Sequence, residues 1–347
     1  MSQNSKLSWI VFNLCFQFCI APAGAAPLPA QNLFVAPGDG DIHEYLTNGT
    51  QSAFATGLSG DEEGLAFDSA GNLFVSDSGN SSIYKYTNGV QTTFASGLDT
   101  PRGLAFDGAG NLYQSDAGSG KIYKYTPSGA RSTFASGLGW PMSLAFDSAG
   151  NLYEADWDSA KIYKFATNGA KSTFASGLMG PWGMAFDRAG NLYETDFYGS
   201  VINKFATNGT QSTFVSGLSE PEGLAFDSAG NLYEADNGSG AIYEFTNGTQ
   251  ITFADGLNNP AALAVQPVPP TPPSLELHIL SGYPFPGCPW LSLYGTLGDT
   301  YTVQYATNLA APKWTTMVIV PNLLITPYRI DPACVGQPMR FFRAIQQ

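Results

Sequence analysis

The chain is poor in histidine and cysteine. Its 347 residues include two histidines and four cysteines, and Cys15 and Cys19 both lie in the first 25 residues. His43 replaces a tyrosine of the repeat described below, and His278 lies far from it near the other end. Neither a Ser-His-Asp arrangement nor a histidine-rich metal site is easily assembled from these two. We therefore expect core or solvated roles for both histidines.

Long apolar runs are lacking beyond the amino terminus. Lys6 is followed by an apolar run at residues 7–20 and then by Ala23-Gly24-Ala25, a pattern typical of a signal peptidase site. The run is too short to span a bilayer. We predict a signal peptide at residues 1–25, a secreted protein that is extracellular or periplasmic, and no membrane span.

Basic residues are scarce in the larger part of the chain. Residues 26–266 hold 25 of the 28 acidic residues but 10 of the 15 basic ones, and the net charge is −13 at pH 7. A negative surface repels phosphate groups and anionic lipid, so nucleic acid and membranes are poor partners. Cations, sugars and basic peptides are compatible with it.

A repeat of about forty residues organises the chain. The Asp of a Phe-Asp pair recurs every 39 or 40 residues, at Asp68, Asp107, Asp147, Asp187 and Asp227. A period of this size without helical patterning predicts propeller blades. Each unit contains four short segments rich in apolar and aromatic residues, and Asn-Gly pairs such as Asn168-Gly169 predict tight hairpins between the third and fourth.

The two ends of the repeat region predict a closed ring. Residues 32–35 match the second strand of a unit with no first strand before them, whereas residues 260–265 match a first strand with nothing after it. Five whole blades and one split blade make six, and pairing the ends leaves no open edge. We predict an all-β, six-bladed β-propeller at residues 26–266, with one blade closed by the N- and C-terminal strands.

A proline-rich stretch precedes a smaller second domain. PVPPTPP at residues 267–273 favours an extended linker, and short alternating segments at residues 274–347 predict a small β-sandwich. TYTVQYATNL and the final MRFFRAIQ resemble the fibronectin-like modules that end many secreted bacterial proteins. In an oxidising compartment Cys288 and Cys334 predict one disulfide, and two buried free thiols are the alternative.

The repeat units resemble a known propeller family. PRGLAFDGAGNLYQSDAGSGKIYKYTPSG at residues 101–129 is similar to NHL repeats and, more broadly, to six-bladed propellers that include SMP-30/gluconolactonase-like hydrolases and virginiamycin B lyase. The resemblance covers roughly residues 31–266. It implies the propeller fold, but this fold class contains both enzymes and binding proteins.

The recurring carboxylates are interpreted as structural. The Asp of the Phe-Asp pair and the Asp that ends the second strand occur in all five complete units, whereas a catalytic residue is needed at one place. Asp at a strand end accepts hydrogen bonds from loop amides and holds a turn. Calcium bound at Asp39-Gly40-Asp41 or Asp156-Trp157-Asp158 is the alternative.

Candidate functional residues lie where the repeats differ. The position immediately before the first strand, which faces the channel mouth, is occupied in ring order by Glu63, Arg102, Met142, Trp182, Glu222 and Ala261. The gluconolactonase resemblance implies acidic and amide ligands here for a divalent metal that polarises a lactone carbonyl. Glu63 and Glu222 match that pattern, but the other four positions lack oxygen ligands. A solvated ion-pair cluster with Arg102 is the alternative, and the lyase resemblance lacks a histidine on the rim.

Aromatic residues are concentrated in the rim loops of two neighbouring blades. Exposed aromatic and acidic side chains suit stacking on a sugar or gripping a peptide, whereas mutual packing is the alternative. Beside Met142 and Met179, the group comprises Trp140, Trp157, Trp182, Phe197 and Tyr198. The leading hypothesis is a binding or scaffold propeller with a carbohydrate, peptide or protein ligand and no cofactor. The competing hypothesis is a metal-dependent, lactonase-like hydrolase that uses calcium or another divalent ion.

Overall fold

Each complete repeat forms a four-stranded antiparallel sheet whose strands follow one another in chain order. The computed structural model describes residues 31–46 and 49–267, and the backbone of six strands within residues 275–346. The predicted signal peptide, residues 268–273 of the predicted linker, and both Cys288 and Cys334 lie outside the described residues. The chain divides into two units between Pro267 and Val268. No helix in the described part of the chain has the length and apolar character needed to cross a bilayer.

The five complete blades are numbered 1 to 5 in chain order. Their strands are β4 (Glu62–Phe67), β5 (Leu73–Asp77), β6 (Ser82–Thr87) and β7 (Val90–Ser96) in blade 1; β8 (Pro101–Phe106), β9 (Leu112–Asp116), β10 (Lys121–Tyr125) and β11 (Arg131–Ser136) in blade 2; β12 (Pro141–Phe146), β13 (Leu152–Asp156), β14 (Lys161–Phe165) and β15 (Lys171–Ser176) in blade 3; β16 (Pro181–Phe186), β17 (Leu192–Asp196), β18 (Val201–Phe205) and β19 (Gln211–Ser216) in blade 4; β20 (Pro221–Phe226), β21 (Leu232–Asp236), β22 (Ala241–Thr246) and β23 (Thr249–Ala254) in blade 5.

The split blade closes the ring. It contains β1 (Leu33–Ala36), β2 (Ile42–Tyr45), β3 (Gln51–Ala55) and β24 (Ala262–Val265), ordered β24-β1-β2-β3. β1 and β24 pair antiparallel along their whole length, from Leu33 opposite Val265 to Ala36 opposite Ala262. The six-bladed propeller closed by its two ends is therefore confirmed.

Aromatic side chains join each blade to the next. Tyr153 of β13 contacts Phe174 of its own blade edge-to-face at 5.0 Å, and Phe186 of blade 4 at the same centroid distance. The other blades repeat this arrangement, for example at Tyr193, Phe214 and Phe226, except that Val265 of the split blade replaces the phenylalanine that would face Tyr233. Such pairs contribute about 0.5–1.5 kcal/mol beyond their burial. This packing explains why each repeat carries an aromatic residue in the first, second and fourth strands.

The first strands of adjacent blades are so close that their backbones are in direct contact. A Cβ on Gly103 would lie 2.5 Å from the carbonyl oxygen of Met142, and one on Gly223 would lie 2.6 Å from that of Ala261. Real Cβ atoms do not approach so closely, so glycine is needed at these positions. The central channel is consequently narrow.

The recurring aspartates hold turns, as predicted. Asp147 Oδ1 accepts hydrogen bonds from the amides of Ala149 (3.0 Å) and Asn151 (2.8 Å), Oδ2 accepts one from Asn151 Nδ2 (2.7 Å), and Lys164 Nζ lies 3.6 Å away. Asp156, at the end of β13, accepts from the amides of Gly139 and Ser159. The same acceptor roles recur at both positions in the other complete blades. The structural interpretation of these ten carboxylates is confirmed.

The C-terminal unit contains two three-stranded antiparallel sheets. Their orders are β25-β26-β29 and β28-β27-β30. The strands are β25 (Leu275–His278), β26 (Trp290–Leu293), β27 (Tyr301–Ala306), β28 (Thr315–Val320), β29 (Tyr328–Ile330) and β30 (Phe341–Gln346). The sandwich and the fibronectin-like character of this unit stay predictions.

The turn carboxylates give a first test. Burial alone would raise the pKa of Asp147, but hydrogen bonds from Asn151 and Ala149 and the charge of Lys164 outweigh it and lower the pKa. Because the folded pKa lies below the unfolded one, this stabilisation is complete above the unfolded pKa and is lost as pH falls through the folded pKa. We expect Asp147→Ala to lower the free energy of unfolding by about 1–3 kcal/mol at neutral pH, and by less in acid.

Urea denaturation at neutral pH and near pH 3 measures the difference. Asp158→Ala, which removes an exposed carboxylate from the same blade, is the matched control and should change little. Equal losses in the two variants would contradict the structural role of Asp147.

Candidate functional site

The starts of the first strands converge on one end of the central channel. Glu63 on β4, Arg102 on β8, Met142 on β12 and Trp182 on β16 line a cavity of about 80 Å³. Met142 is 2 % exposed and packs in the core below the rim. Glu222, at the equivalent position of β20, is also buried, at 5 % exposure. Four of these five side chains therefore surround one small channel mouth.

Arg102 is held between an acid and two indole rings. Its Nη1 lies 2.8 Å from Glu63 Oε2, and both side chains are less than one-fifth exposed. Its guanidinium carbon lies 5.3 Å from the ring centre of Trp182 and 6.0 Å from that of Trp140. Partly buried cation–π contacts and a close ion pair both favour a fixed guanidinium. The side chain of Arg102 is thus preorganised at the channel mouth.

Burial dominates the electrostatics of Glu63 and of the neighbouring Glu222. Burial raises the pKa of Glu222 to about 9, with a further increase from the negative charge of Glu63 and an opposing effect of Arg102. Burial also raises the pKa of Glu63, against the effect of its partner Arg102. A metal ion bound to Glu63 would have to compete with its ion pair to Arg102. The arrangement favours an ion pair, and the assignment of Glu63 and Glu222 as metal ligands stays a prediction.

A second acidic group lies in the split blade. Asp39, Asp41 and His43 each offer one ligand atom, and these atoms lie within 4.8 Å of one another. The Asp41 amide donates to Asp39 Oδ1 at 3.0 Å, and His43 Nδ1 lies 2.6 Å from Gln51 Nε2. The three residues could hold a metal ion and include the Asp39-Gly40-Asp41 segment considered for calcium.

The rim aromatics pack against one another. Trp157 is central, with ring-centre distances of 5.1 Å to Trp182, 5.4 Å to Phe197 and 5.1 Å to Tyr198. Trp182 and Phe197 stack at 5.3 Å with an interplanar angle of 22°. Tyr198 nevertheless remains 65 % exposed. Mutual packing, one of the two alternatives from sequence, therefore fixes the rings while leaving one edge of the group in solvent.

Sequence reasoning missed three buried glutamates. Glu154, Glu194 and Glu234 occupy the third position of the second strand in blades 3, 4 and 5, and each is fully buried. Glu194 accepts a hydrogen bond from Asn203 Nδ2 at 3.0 Å, but neither oxygen of Glu154 or Glu234 has a hydrogen-bond partner among the described residues. Burial is the main cause of a raised pKa in all three. The signal was present, because Val35 and Val75 hold this position elsewhere and mark it as inward-facing.

Comparisons with known proteins support the fold. No family model and no curated protein matches the chain. A chain of the nidogen/laminin complex is similar with a TM-score of 0.62 and 22% identity, over 68% of this chain and 98% of that one. Virginiamycin B lyase from Staphylococcus aureus gives 0.53 and 13%, over 73% and 84%. A gluconolactonase from Xanthomonas campestris gives 0.53 and 17%, over 67% and 82%.

The structural neighbours with TM-scores above 0.5 include a chain of the nidogen/laminin complex and a gluconolactonase. They comprise both a component of a binding complex and enzymes. At these identities the likeness establishes the fold, and the activity has to be argued from the residues of this chain.

The buried glutamates predict a pH dependence of stability. Burial raises the pKa of Glu194 from its ordinary value of 4.5 to about 8, against the hydrogen bond from Asn203. Between these values the folded chain keeps a proton that the unfolded chain has lost. Stability therefore falls as pH rises through this range, by up to about 1.4 kcal/mol per pH unit for one group. We expect Glu194→Gln to remove this contribution while keeping the hydrogen bond from Asn203.

Urea titrations at several pH values between 5 and 8 measure this slope. Glu220→Gln, which neutralises an exposed carboxylate of the neighbouring blade, should leave the slope as it is. An unchanged slope in Glu194→Gln would show that Glu194 is already ionised in the folded protein.

Proposed function

We propose that this protein is a secreted propeller that acts as a binding or scaffold module, with a carbohydrate or a peptide or protein segment bound at the channel-mouth rim. The observation that carries this proposal is the fixed Arg102, held by Glu63 and the indoles of Trp140 and Trp182 at the mouth. Secretion rests on the predicted signal peptide at residues 1–25.

The size of the channel favours recognition at the surface. Sites that enclose small molecules have volumes of roughly 300–1,000 Å³, whereas the cavity beneath the rim is about 80 Å³. A ligand larger than a few atoms would therefore contact the rim side chains from outside. Partly exposed indole and phenol rings offer apolar area together with a polar group for such contacts.

The packing of the rim reduces the entropic cost of binding. Trp157, Trp182 and Phe197 hold one another in place, so few rotamers are lost when a ligand arrives. Similarity to a chain of the nidogen/laminin complex is consistent with a protein-binding role for this fold. The competing lactonase-like hydrolase would need a metal at Glu63 and Glu222, where Arg102 already neutralises one carboxylate.

The binding proposal is tested with glycan and peptide arrays probed with the full mature chain. We expect ligands found in this way to bind Trp140→Ala about 10-fold more weakly or worse, because truncation of an interface tryptophan typically has effects of this size. Trp140 is suited to the test since its indole contacts Arg102 without joining the ring contacts around Trp157. Trp140→Phe should retain most of the binding, and equal affinity of wild type and Trp140→Ala would refute the proposed site.

Metal analysis tests the competing hydrolase. We expect the divalent metal content of the purified protein to be the same in wild type and in Glu222→Gln, because the Arg102 guanidinium already neutralises Glu63 at this site. Stoichiometric metal that disappears in Glu222→Gln would instead support the lactonase-like alternative.

A further inference from the structure

The two rims of the propeller differ in how their acids are compensated. On the rim away from the channel mouth, recurring aspartates lie beside lysines of the third strand. The distances are 3.7 Å for Asp68–Lys85, 3.6 Å for Asp107–Lys124, 3.6 Å for Asp147–Lys164 and 4.0 Å for Asp187–Lys204. Four of the five recurring aspartates are thus paired, whereas in blade 5 Glu244 stands at the lysine position beside Asp227.

The rim at the channel mouth, called the mouth rim, carries exposed acidic side chains that are not paired with lysines. Asp61, Asp99, Asp158 and Glu220 are all exposed in the loops of this rim. Within the described residues, none of the four lies within ion-pair distance of a lysine or arginine, and the rim cation Arg102 is already paired with Glu63. Unpaired charges of one sign on one rim create a field that attracts cationic ligands.

Exposed apolar area lies in the same rim. Met179 is 59 % exposed and Tyr198 is 65 % exposed, and the Tyr198 amide donates to the Met179 carbonyl at 2.9 Å. The other large hydrophobic side chains exposed among the described residues are scattered singly, at Leu46, Val90 and Ile251. Adjacent exposed apolar side chains beside polar ones are typical of an interaction surface.

We propose that Trp157, Asp158, Met179 and Tyr198 form an acidic aromatic patch that docks a basic segment of a protein partner. A lysine or arginine side chain of the partner lies against the ring of Tyr198 and pairs with Asp158, while apolar atoms of the segment cover Met179. This inference rests on the proposed binding function of the rim and assigns the chemistry of its ligand.

The same aromatic group already binds one cation of the chain itself. Arg102 lies over Trp182, which contacts Trp157, which in turn contacts Tyr198. A second cation on the exposed side of this group would meet the same negative ring faces. The group thus has an inner end filled by Arg102 and an outer end, at Tyr198, open to solvent.

Charge complementarity favours a basic peptide over a neutral sugar. A neutral sugar can donate hydroxyl hydrogen bonds to single carboxylates, whereas a segment with several basic residues also gains from the combined charge of Asp61, Asp99, Asp158 and Glu220 at modest salt. The chain as a whole has a net charge of −13, so this attraction extends beyond the patch and speeds association.

The test uses the full mature chain and three sets of short fluorescent peptides that differ only in carrying lysine and arginine, glutamate and aspartate, or serine and glutamine. Anisotropy is measured at low and at physiological salt. We expect the basic set to bind, and Tyr198→Ala and Asp158→Asn each to weaken binding by roughly 3- to 30-fold. Val90→Ala is the matched control, because Val90 is also 65 % exposed but lies at the β6–β7 hairpin of the opposite rim.

Each outcome decides the inference. Basic peptides that bind wild type, Tyr198→Ala and Val90→Ala equally would indicate diffuse electrostatic attraction and overturn the patch. Neutral oligosaccharides that bind in a Trp140-dependent way, with no basic peptide bound, would overturn the inference while supporting the proposed function. Failure of the basic peptides, together with failure of every glycan and peptide on the arrays, would count against both.

Discussion

The pairing of β1 with β24 is the constraint on which the rest of the structure depends. A single blade has two apolar faces and cannot cover either by itself, so each needs a neighbour on both sides. Only when the first and last strands pair does every blade obtain both neighbours. Closure also brings the first strands so close that Gly103 and Gly223 leave no space for a Cβ. The narrow channel therefore follows from ring closure, and it is the reason for proposing that a ligand is bound at the rim.

Much of this fold could be predicted from the sequence because its determinants are local and repeated. The period near forty residues, the turn residues and the incomplete units at each end predicted six blades and their closure. The recurring aspartates could be interpreted for the same reason. Asp147 acts on Ala149 and Asn151, only a few residues away, so its role is visible in a single repeat. Five copies then distinguish a structural requirement from a unique site.

The candidate site was predictable in its location but not in its contacts. Ring position placed Glu63, Arg102 and Trp182 at the mouth, but not that Arg102 reaches past blade 3 to the indole of Trp182. Nor did it predict that Glu222 is buried with a raised pKa, because the charges of Glu63 and Arg102 that act on it belong to other blades. The buried Glu154 was missed for a related reason. The alternation of residues along its strand predicts that the Glu154 side chain points into the blade interface. Only the structure, in which the neighbouring blade packs against it, shows that this side chain is fully buried.

The residues that repeat around the ring hold the blades together, whereas the residues proposed to bind a ligand do not repeat. Contacts such as those of Tyr153 with Phe174 and Phe186 recur around the ring, so stability is distributed over many equivalent interfaces. A substitution in one mouth-rim loop disturbs only one of them. Side chains such as Tyr198 and Asp158 can therefore differ from their counterparts in other blades without loss of the ring. These differences lie on one rim and give it aromatic and acidic side chains that the opposite rim does not repeat. On the opposite rim four recurring aspartates pair with lysines, whereas Asp158, next to the aromatic rings, has no ion-pair partner among the described residues.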